Sequence, residues 1–203
     1  MLELGDIASV YSGVSVQEAS DGFARFMRLS DLSDIKAGRR PILAVGIAPA
    51  VARALALEDG DLVVGARGSG TDVCLVNETI HGAFISLDLY LVRPNRAKVN
   101  PKYLAAFLEL PGTQSLLSTG KQGTGLARLS KDALEKTRVP LPSLHTQILI
   151  ADLALSFETE VRLLKKLGDL KTYFGREAVA QAIYRAAPDA NPKGNHDDSP
   201  PTR

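Results

Sequence analysis

Two hydrophobic rhythms divide this chain. Over residues 1–143, short apolar runs are cut apart by Gly, Pro, Asp and Ser. Runs of that kind, bounded by turn residues, predict strands at 7–11, 23–29, 62–66, 72–75 and 84–92. The stretch "LEDGDLVV" (57–64) reads as a turn followed by a short buried strand, and "LDLYLVRP" (87–94) as a strand ended by Pro94. Short helices interrupt this β-rich part. Asn100-Pro101 supplies an N-cap and a proline at the first helical position, opening a helix over 101–109 that Pro111-Gly112 closes. "TQSLLSTG" (113–120) reads as a second helical piece ended by Gly120, and Ser130 caps a third over 131–137.

From residue 144 to 187 the rhythm changes. There is no proline, and the only glycines are Gly168 and Gly175. Leu149, Leu153, Ser156, Glu160, Leu163, Leu167, Leu170 and Phe174 step alternately by four and three, the a/d spacing of a coiled coil. All but Ser156 and Glu160 are apolar. The adjoining track of Ile150, Ala154, Phe157, Val161 and Leu164 is apolar too, so the stripe is wider than a two-stranded seam requires. A helix of this length spans about 60 Å, against a radius of gyration of about 14–15 Å for the body before it. The expectation is a helix that outruns its own domain and offers apolar surface to a partner. The alternative is a hairpin folded back at Gly168 or Gly175, since each glycine costs about 1 kcal/mol in a helix interior.

Between the two parts, Pro140 and Pro142 fix φ and disfavour helix in the residues before them, which predicts a stiff elbow. Residues 188–203, rich in Pro, Asp and Asn, read as a disordered tail. The expected fold class is α+β: a β-rich domain with short helices over 1–143, a long coiled-coil-type helix over 144–187, and the tail.

Composition changes this picture little. The 203 residues are 45% hydrophobic and 23% charged, ordinary for a globular chain. No apolar run approaches the roughly 18–20 residues of a membrane span, and the opening "MLELGD" carries acid where a signal peptide carries base. A single cysteine, Cys74, excludes an internal disulfide and favours a reducing, cytoplasmic setting. The net charge of +1 announces no nucleic acid, so any such binding rests on local patches.

Candidate chemistry is sparse. Cys74, His81 and Asp88 lie close in sequence, but Cys74 sits inside the apolar run "DVCLV" with no cation to lower its pKa. A buried structural cysteine is the expectation. Metal-binding spacings and the strand–glycine-loop–helix order of a dinucleotide site are absent, so neither a catalytic residue nor a metal ligand is assigned. Two loops stand out instead. "GARGSGTDV" (65–73) sets Arg67 and Ser69 among small residues, and "TGKQGTGLARLS" (119–130) combines Lys121, Gln122, Thr124 and Arg128 with three glycines. Lys and Arg suit phosphates or guanine edges, and Gln suits adenine. The same residues also fit ordinary solvent loops. Arg39, Arg40 and the cations of "RPNRAK" (93–98) read equally as phosphate contacts or solvated turns.

The order of these features resembles the specificity subunit of type I restriction-modification systems. Four stretches carry the likeness: "LGDIASVYSG" (4–13), "LEDGDLVVGARGSG" (57–70), "VNPKYLAAFLELPGTQSLLSTGKQGTGLARLS" (99–130) and "LEKTRVPLPSLHTQILIADL" (134–153). The resemblance implies a target-recognition domain over 1–143 that reads bases in double-stranded DNA. It implies a spacer helix over 144–187 that docks DNA adenine methyltransferase subunits, with a restriction (motor/nuclease) subunit as a further partner. Such a subunit is non-catalytic and binds no cofactor itself; S-adenosylmethionine belongs to the methyltransferase. On this basis Arg67, Ser69, Lys121, Gln122, Thr124 and Arg128 are the expected DNA-facing residues, with Tyr11 and Ser12 at the first turn. Tyr103, Leu104 and Phe107 look like core, and Gln147 and Ile148 like the structural start of the long helix.

One departure from the family pattern matters. Members of that family carry two recognition domains and two spacer helices, whereas this chain shows one of each and no internal repeat. The resemblance is therefore to a half-subunit. A homodimer pairing its helices antiparallel through Leu149, Leu153, Leu163, Leu167, Leu170 and Phe174 would restore the second half and read an interrupted palindrome. Pairing with a different half is the other arrangement. Two further readings stay open: a protein-interaction module with no DNA role, and an autonomous enzyme built on Cys74 or His81.

Overall fold

A computed structural model of the protein describes residues 1–19, 21–51, 54–68, 71–122 and 127–186, with Gln122 described by its backbone. In chain order the elements are β1 (Leu2–Glu3), α1 (Leu4–Ile7), β2 (Ala8–Ser12), β3 (Ala24–Met27), α2 (Leu29–Lys36), β4 (Ala44–Gly46), β5 (Leu62–Gly65), β6 (Val73–Leu75), β7 (Phe84–Ile85) and β8 (Leu89–Pro94). They continue with α3 (Pro101–Glu109), α4 (Pro111–Thr119), β9 (Lys121–Gln122), β10 (Arg128–Leu129), α5 (Lys131–Glu135), β11 (Arg138–Val139) and α6 (Leu144–Ala186). This is the expected α+β class.

The framework is a four-stranded antiparallel sheet in the order β2-β8-β5-β6. Its central strand β5 is buried at every position, because alternate residues feed cores on both faces. On one face Leu62 and Val64 join Val10, Tyr90 and Val92, covered by Leu104 and Leu108 of α3, Leu117 of α4 and Ala151 of α6. On the other face Val63, Cys74 and Leu91 meet Met27, Leu32 and Ile80. A smaller mixed sheet, β4-β3-β7, pairs β3 antiparallel to β4 and parallel to β7.

The capping signals act as their chemistry dictates. Asn100 accepts hydrogen bonds from the N–H groups of Lys102 and Tyr103, ahead of Pro101 at the first turn of α3. Ser130 accepts from Ala133 N–H and starts α5. Pro111, expected to close α3, also opens α4. Two expectations need correction. The predicted strand 84–92 is two strands in different sheets, because Leu89 N–H closes a turn on Ser86 O at 3.0 Å. The predicted strand 23–29 stops at Met27, since Asp31 accepts the Arg28 N–H at 2.7 Å and begins α2.

Helix α6 runs unbroken for 43 residues, about 65 Å at 1.5 Å per residue. Both glycines lie within it, which excludes the hairpin alternative. Its start is pinned. Ser143 Oγ accepts the Thr146 N–H at 3.2 Å, and Gln147, 1% exposed, hydrogen-bonds Pro142 O and Asn100 N–H. Tyr103 donates its hydroxyl proton to Pro140 O at 2.7 Å. The elbow is thus held by side chains as well as by proline stereochemistry.

By contacts the chain forms two compact units, Met1–Ala154 and the stretch from Leu155 on. The sequence places the change of character at 143/144; the contact boundary comes later because Gln147 and Ala151 are buried in the first unit. In the second unit the apolar side chains Leu163, Leu167, Leu170 and Phe174 are all exposed. The tail expected to be disordered, 188–203, lies outside the described residues.

Candidate nucleic-acid interface

The two loops singled out in the sequence meet at one end of the main sheet. Past β5, Ala66 N–H donates to Asp88 O at 2.8 Å, and Ala66 O accepts from Leu129 N–H at 2.8 Å. The chain around Arg67 is therefore sandwiched between the start of β8 and β10. Arg67 and Arg128 face one another in an antiparallel bridge. β10 folds onto β9 as a short antiparallel pair, with Arg128 opposite Gln122 and Leu129 opposite Lys121. Within the segment 119–130, which the sequence presents as a loop, residues 121–122 and 128–129 therefore pair as short antiparallel strands.

Side chains tighten this junction. Lys121 Nζ donates to Gly68 O at 2.8 Å, tying the hairpin to the Arg67 loop. Gly68 has φ of 96°, a left-handed conformation that glycine adopts without strain. The far end of that loop is held by Gln114 of α4, whose amide exchanges hydrogen bonds with the backbone N–H and C=O of Thr71. Burial pushes the Lys121 ammonium below its ordinary pKa, and the Asp72 carboxylate partly offsets this.

The charges converge on Asp88. Arg67 Nε lies 2.7 Å from Asp88 Oδ1, a charge contact rather than an aligned hydrogen bond. Arg128 Nη1 lies 3.7 Å from the same oxygen and donates to Leu87 O at 2.6 Å. The Arg128 guanidinium also sits over the Tyr90 ring, 5.2 Å from its centroid, and Tyr90 donates its hydroxyl proton to Leu129 O at 2.8 Å. Three cations set against the Asp88 and Asp72 carboxylates leave a small local excess of positive charge on a chain of nearly zero net charge. The arginines are 41% and 30% exposed, so they are anchored yet reachable.

Of the other expected site residues, Ser12 is exposed and pairs with Tyr90 in the β2–β8 register, which places it at this same sheet end. Tyr11 points to the opposite face, where it packs on the second core cluster. Ser69 and Thr124 lie outside the described residues, as does the Gln122 side chain.

Of the remaining candidate cations Arg93 has structural work, Arg39, Arg96 and Lys98 are engaged by neighbouring groups at the surface, and Arg40 is exposed. Arg93 makes a paired contact with the buried Asp61 at 2.9 and 2.7 Å and also donates to Ala56 O. Arg39 pairs with Asp34, Arg96 with Asp59, and Lys98 donates to Asp6 O. Cys74 is buried, and desolvation pushes its thiol up to about 12, so no thiolate nucleophile forms there near neutral pH. Asp88, grouped by sequence proximity with Cys74 and His81, belongs instead to the arginine junction. An acid inside the otherwise apolar "LDLYLV" was the available signal, because a carboxylate at a strand start calls for a cationic partner.

Residues 21–169 match the family described as type I restriction modification DNA specificity domain. No curated protein sequence matches the chain significantly. Among solved structures, one chain from work on complex assembly and conformational transition of the type I R-M system superposes with a TM-score of 0.68 at 20% identity, covering 98% of this chain and 51% of that one. The S subunit of the type I restriction-modification system from M. genitalium gives 0.56 at 12% identity, covering 86% and 43%. The HsdS subunit from Thermoanaerobacter tengcongensis gives 0.55 at 20%, covering 81% and 38%. This chain therefore spans about half, or less, of the solved chains it resembles in fold.

Proposed function

Because the chain belongs to the family of type I restriction-modification DNA specificity domains, we propose that it reads a DNA sequence through the Arg67–Lys121–Arg128 junction and directs adenine methyltransferase subunits to that site. The observation that carries this reading is the joining of two loops far apart in sequence, with Arg67 bridged to Arg128 and Lys121 tied to Gly68. Arginine forks held by neighbouring groups present fewer conformations to a ligand, so less entropy is lost on binding. Ser12 at the same sheet end, with Ser69, Gln122 and Thr124, which are neighbours of Arg67 and Arg128 in sequence, would add the neutral donors and acceptors that base edges require. Tyr11, which faces the core, is the weakest member of this set.

The chain supplies recognition rather than catalysis. The methyl donor, S-adenosylmethionine, is held by the methyltransferase subunit, and a restriction subunit joins where the system also cleaves. A cytoplasmic setting follows from these partners; no helix among the described residues is long and apolar enough to cross a membrane.

Helix α6 provides the second half of the proposal. Leu149, Leu153, Leu163, Leu167, Leu170 and Phe174 are 44–64% exposed along one stripe. Apolar surface of that extent on an a/d stripe favours helix–helix association. Two copies pairing antiparallel would carry two readers related by a two-fold axis and select an interrupted palindrome.

Deleting the chain in its host and sequencing modified adenines tests this reading. Loss of methylation at one interrupted motif, restored by the wild-type chain and not by an Arg67→Ala/Arg128→Ala variant, is expected. An unchanged methylation pattern would refute it.

A further inference from the structure

We propose that Asp88 is the positioning residue of this interface, steering Arg67 and Arg128 away from phosphates and toward base edges; the inference rests on the DNA-reading function proposed above. A single carboxylate oxygen, Asp88 Oδ1, lies 2.7 Å from Arg67 and 3.7 Å from Arg128. The backbone around it is fixed on both sides. Asp88 O accepts from Ala66 N–H, and the neighbouring Leu87 O accepts from Arg128. Tyr90, two residues on, carries the Arg128 guanidinium on its ring. One acid thus attracts both forks by charge, while the Leu87 carbonyl and the Tyr90 ring hold Arg128 beside it.

The charge arithmetic gives the consequence. Two guanidiniums alone form a strong phosphate site, which grips any DNA without regard to sequence. A carboxylate between them removes one unit of that charge and repels an approaching phosphate. A guanine edge carries no formal charge, so its O6 and N7 acceptors suffer far less from the same carboxylate. Asp88 therefore lowers backbone affinity and leaves edge recognition, which raises discrimination through a repulsive element. A purely structural role is a poor account of it. Asp88 is 43% and Arg67 41% exposed, and half-exposed ion pairs contribute little to stability.

The test uses the full chain and two duplexes, one enriched by the wild-type protein from a random-sequence pool and one of the same composition scrambled. Affinities for both are measured for wild type, Asp88→Asn and Asp88→Glu, alongside thermal melting. The expected result is that Asp88→Asn binds the scrambled duplex more tightly and its specificity ratio falls about tenfold, with melting unchanged. Asp88→Glu, which keeps the charge, recovers most of the ratio. An unchanged ratio in Asp88→Asn, equal loss in both variants, or a fall that tracks lost thermal stability each overturns the proposal. The wild-type measurement alone decides the underlying reading: a wild-type chain that enriches no sequence overturns DNA reading itself, and this role for Asp88 with it.

Discussion

Gln147 Oε1 accepts the backbone N–H of Asn100 at 2.8 Å, joining the first turn of α6 to the residue that caps α3. The same side chain donates to Pro142 O at 2.9 Å, so one buried amide ties the elbow, the start of the long helix and α3. Everything in this contact lies within the first unit. Replacing Gln147 by Leu strands the Asn100 N–H and Pro142 O without partners. Unmet buried groups cost about 1–3 kcal/mol each, so Gln147→Leu is expected to lower unfolding free energy by about that amount or more. Urea denaturation followed by circular dichroism measures it.

Arg93 and Arg128 are both arginines near the main sheet, yet their losses should differ in kind. Arg93 serves the buried Asp61, which is 2% exposed, and its removal leaves that carboxylate unpaired. Arg93→Gln is expected to destabilise the fold by about 2 kcal/mol, since hydrogen bonds to charged groups are worth about 1.5–3 kcal/mol. Arg128→Ala should instead leave the fold nearly intact and weaken binding to the enriched duplex by about 1–3 kcal/mol. Melting curves and duplex titrations, run on both variants, separate the two effects.

How far the sequence revealed this molecule depends on the range of the interaction. Capping is local, so Asn100-Pro101 and Ser130 were readable, and the proline-free run of α6 pointed to a long helix while its two glycines left a hairpin open. The break within 84–92 was not readable: polar and apolar residues alternate through Ser86, Leu87, Asp88 and Leu89 as they would in a half-buried strand, and the switch between sheets is decided by β3 and β5, distant in sequence. Likewise α2 was masked by the apolar alternation of 23–29, although Asp31 three residues after Arg28 carried a capping signal. Both loops of the candidate site were legible from their glycines and cations. Their meeting was not, because Leu129 N–H to Ala66 O is a long-range bond that no local pattern encodes. For the same reason Asp88 was drawn toward its sequence neighbours rather than to Arg67.

Cys74 gives a pH-dependent prediction. Its thiol is raised in the folded protein to about 12 from an ordinary 9.0, by burial above all. The unfolded chain therefore releases this proton first. Between those two values the folded state holds more protons, so stability falls as pH rises through that window and is unaffected below it. Stability curves taken across the window should fall more steeply in wild type than in Cys74→Ala, the difference being the Cys74 contribution. Alkylation by iodoacetamide should be slow in the native protein and fast once it is unfolded.

Gly168 and Gly175 offer a stabilising change. An added Cβ at either meets nothing within 4 Å, and both lie in the interior of α6. Alanine at each site is expected to stabilise the helix by about 0.8–1 kcal/mol. Thermal melting monitored by helical circular dichroism checks this. A loss of association in Gly175→Ala, with helicity raised, would show that a partner helix approaches there.

The exposed stripe of α6 makes its own prediction. Leu163→Glu with Leu167→Glu puts two charges on surface that the account assigns to a partner helix. Burying unpaired charge is costly, so self-association should weaken by tenfold or more, on the order of 1.4 kcal/mol. Sedimentation equilibrium on wild type and the double variant reports it. Equal masses at all concentrations would assign the stripe to the methyltransferase rather than to a second copy.

Sequence reading by the Arg67–Lys121–Arg128 junction, as proposed, has a direct consequence for DNA selection. Enrichment of duplex DNA from a random pool by the full chain tests it most directly, with wild type and Arg67→Ala/Arg128→Ala compared side by side. Wild type is expected to enrich one interrupted, two-fold symmetric motif, and the double variant to enrich none while melting at nearly the wild-type temperature. Enrichment of the same motif by both proteins, or of no motif by the wild type, would contradict it.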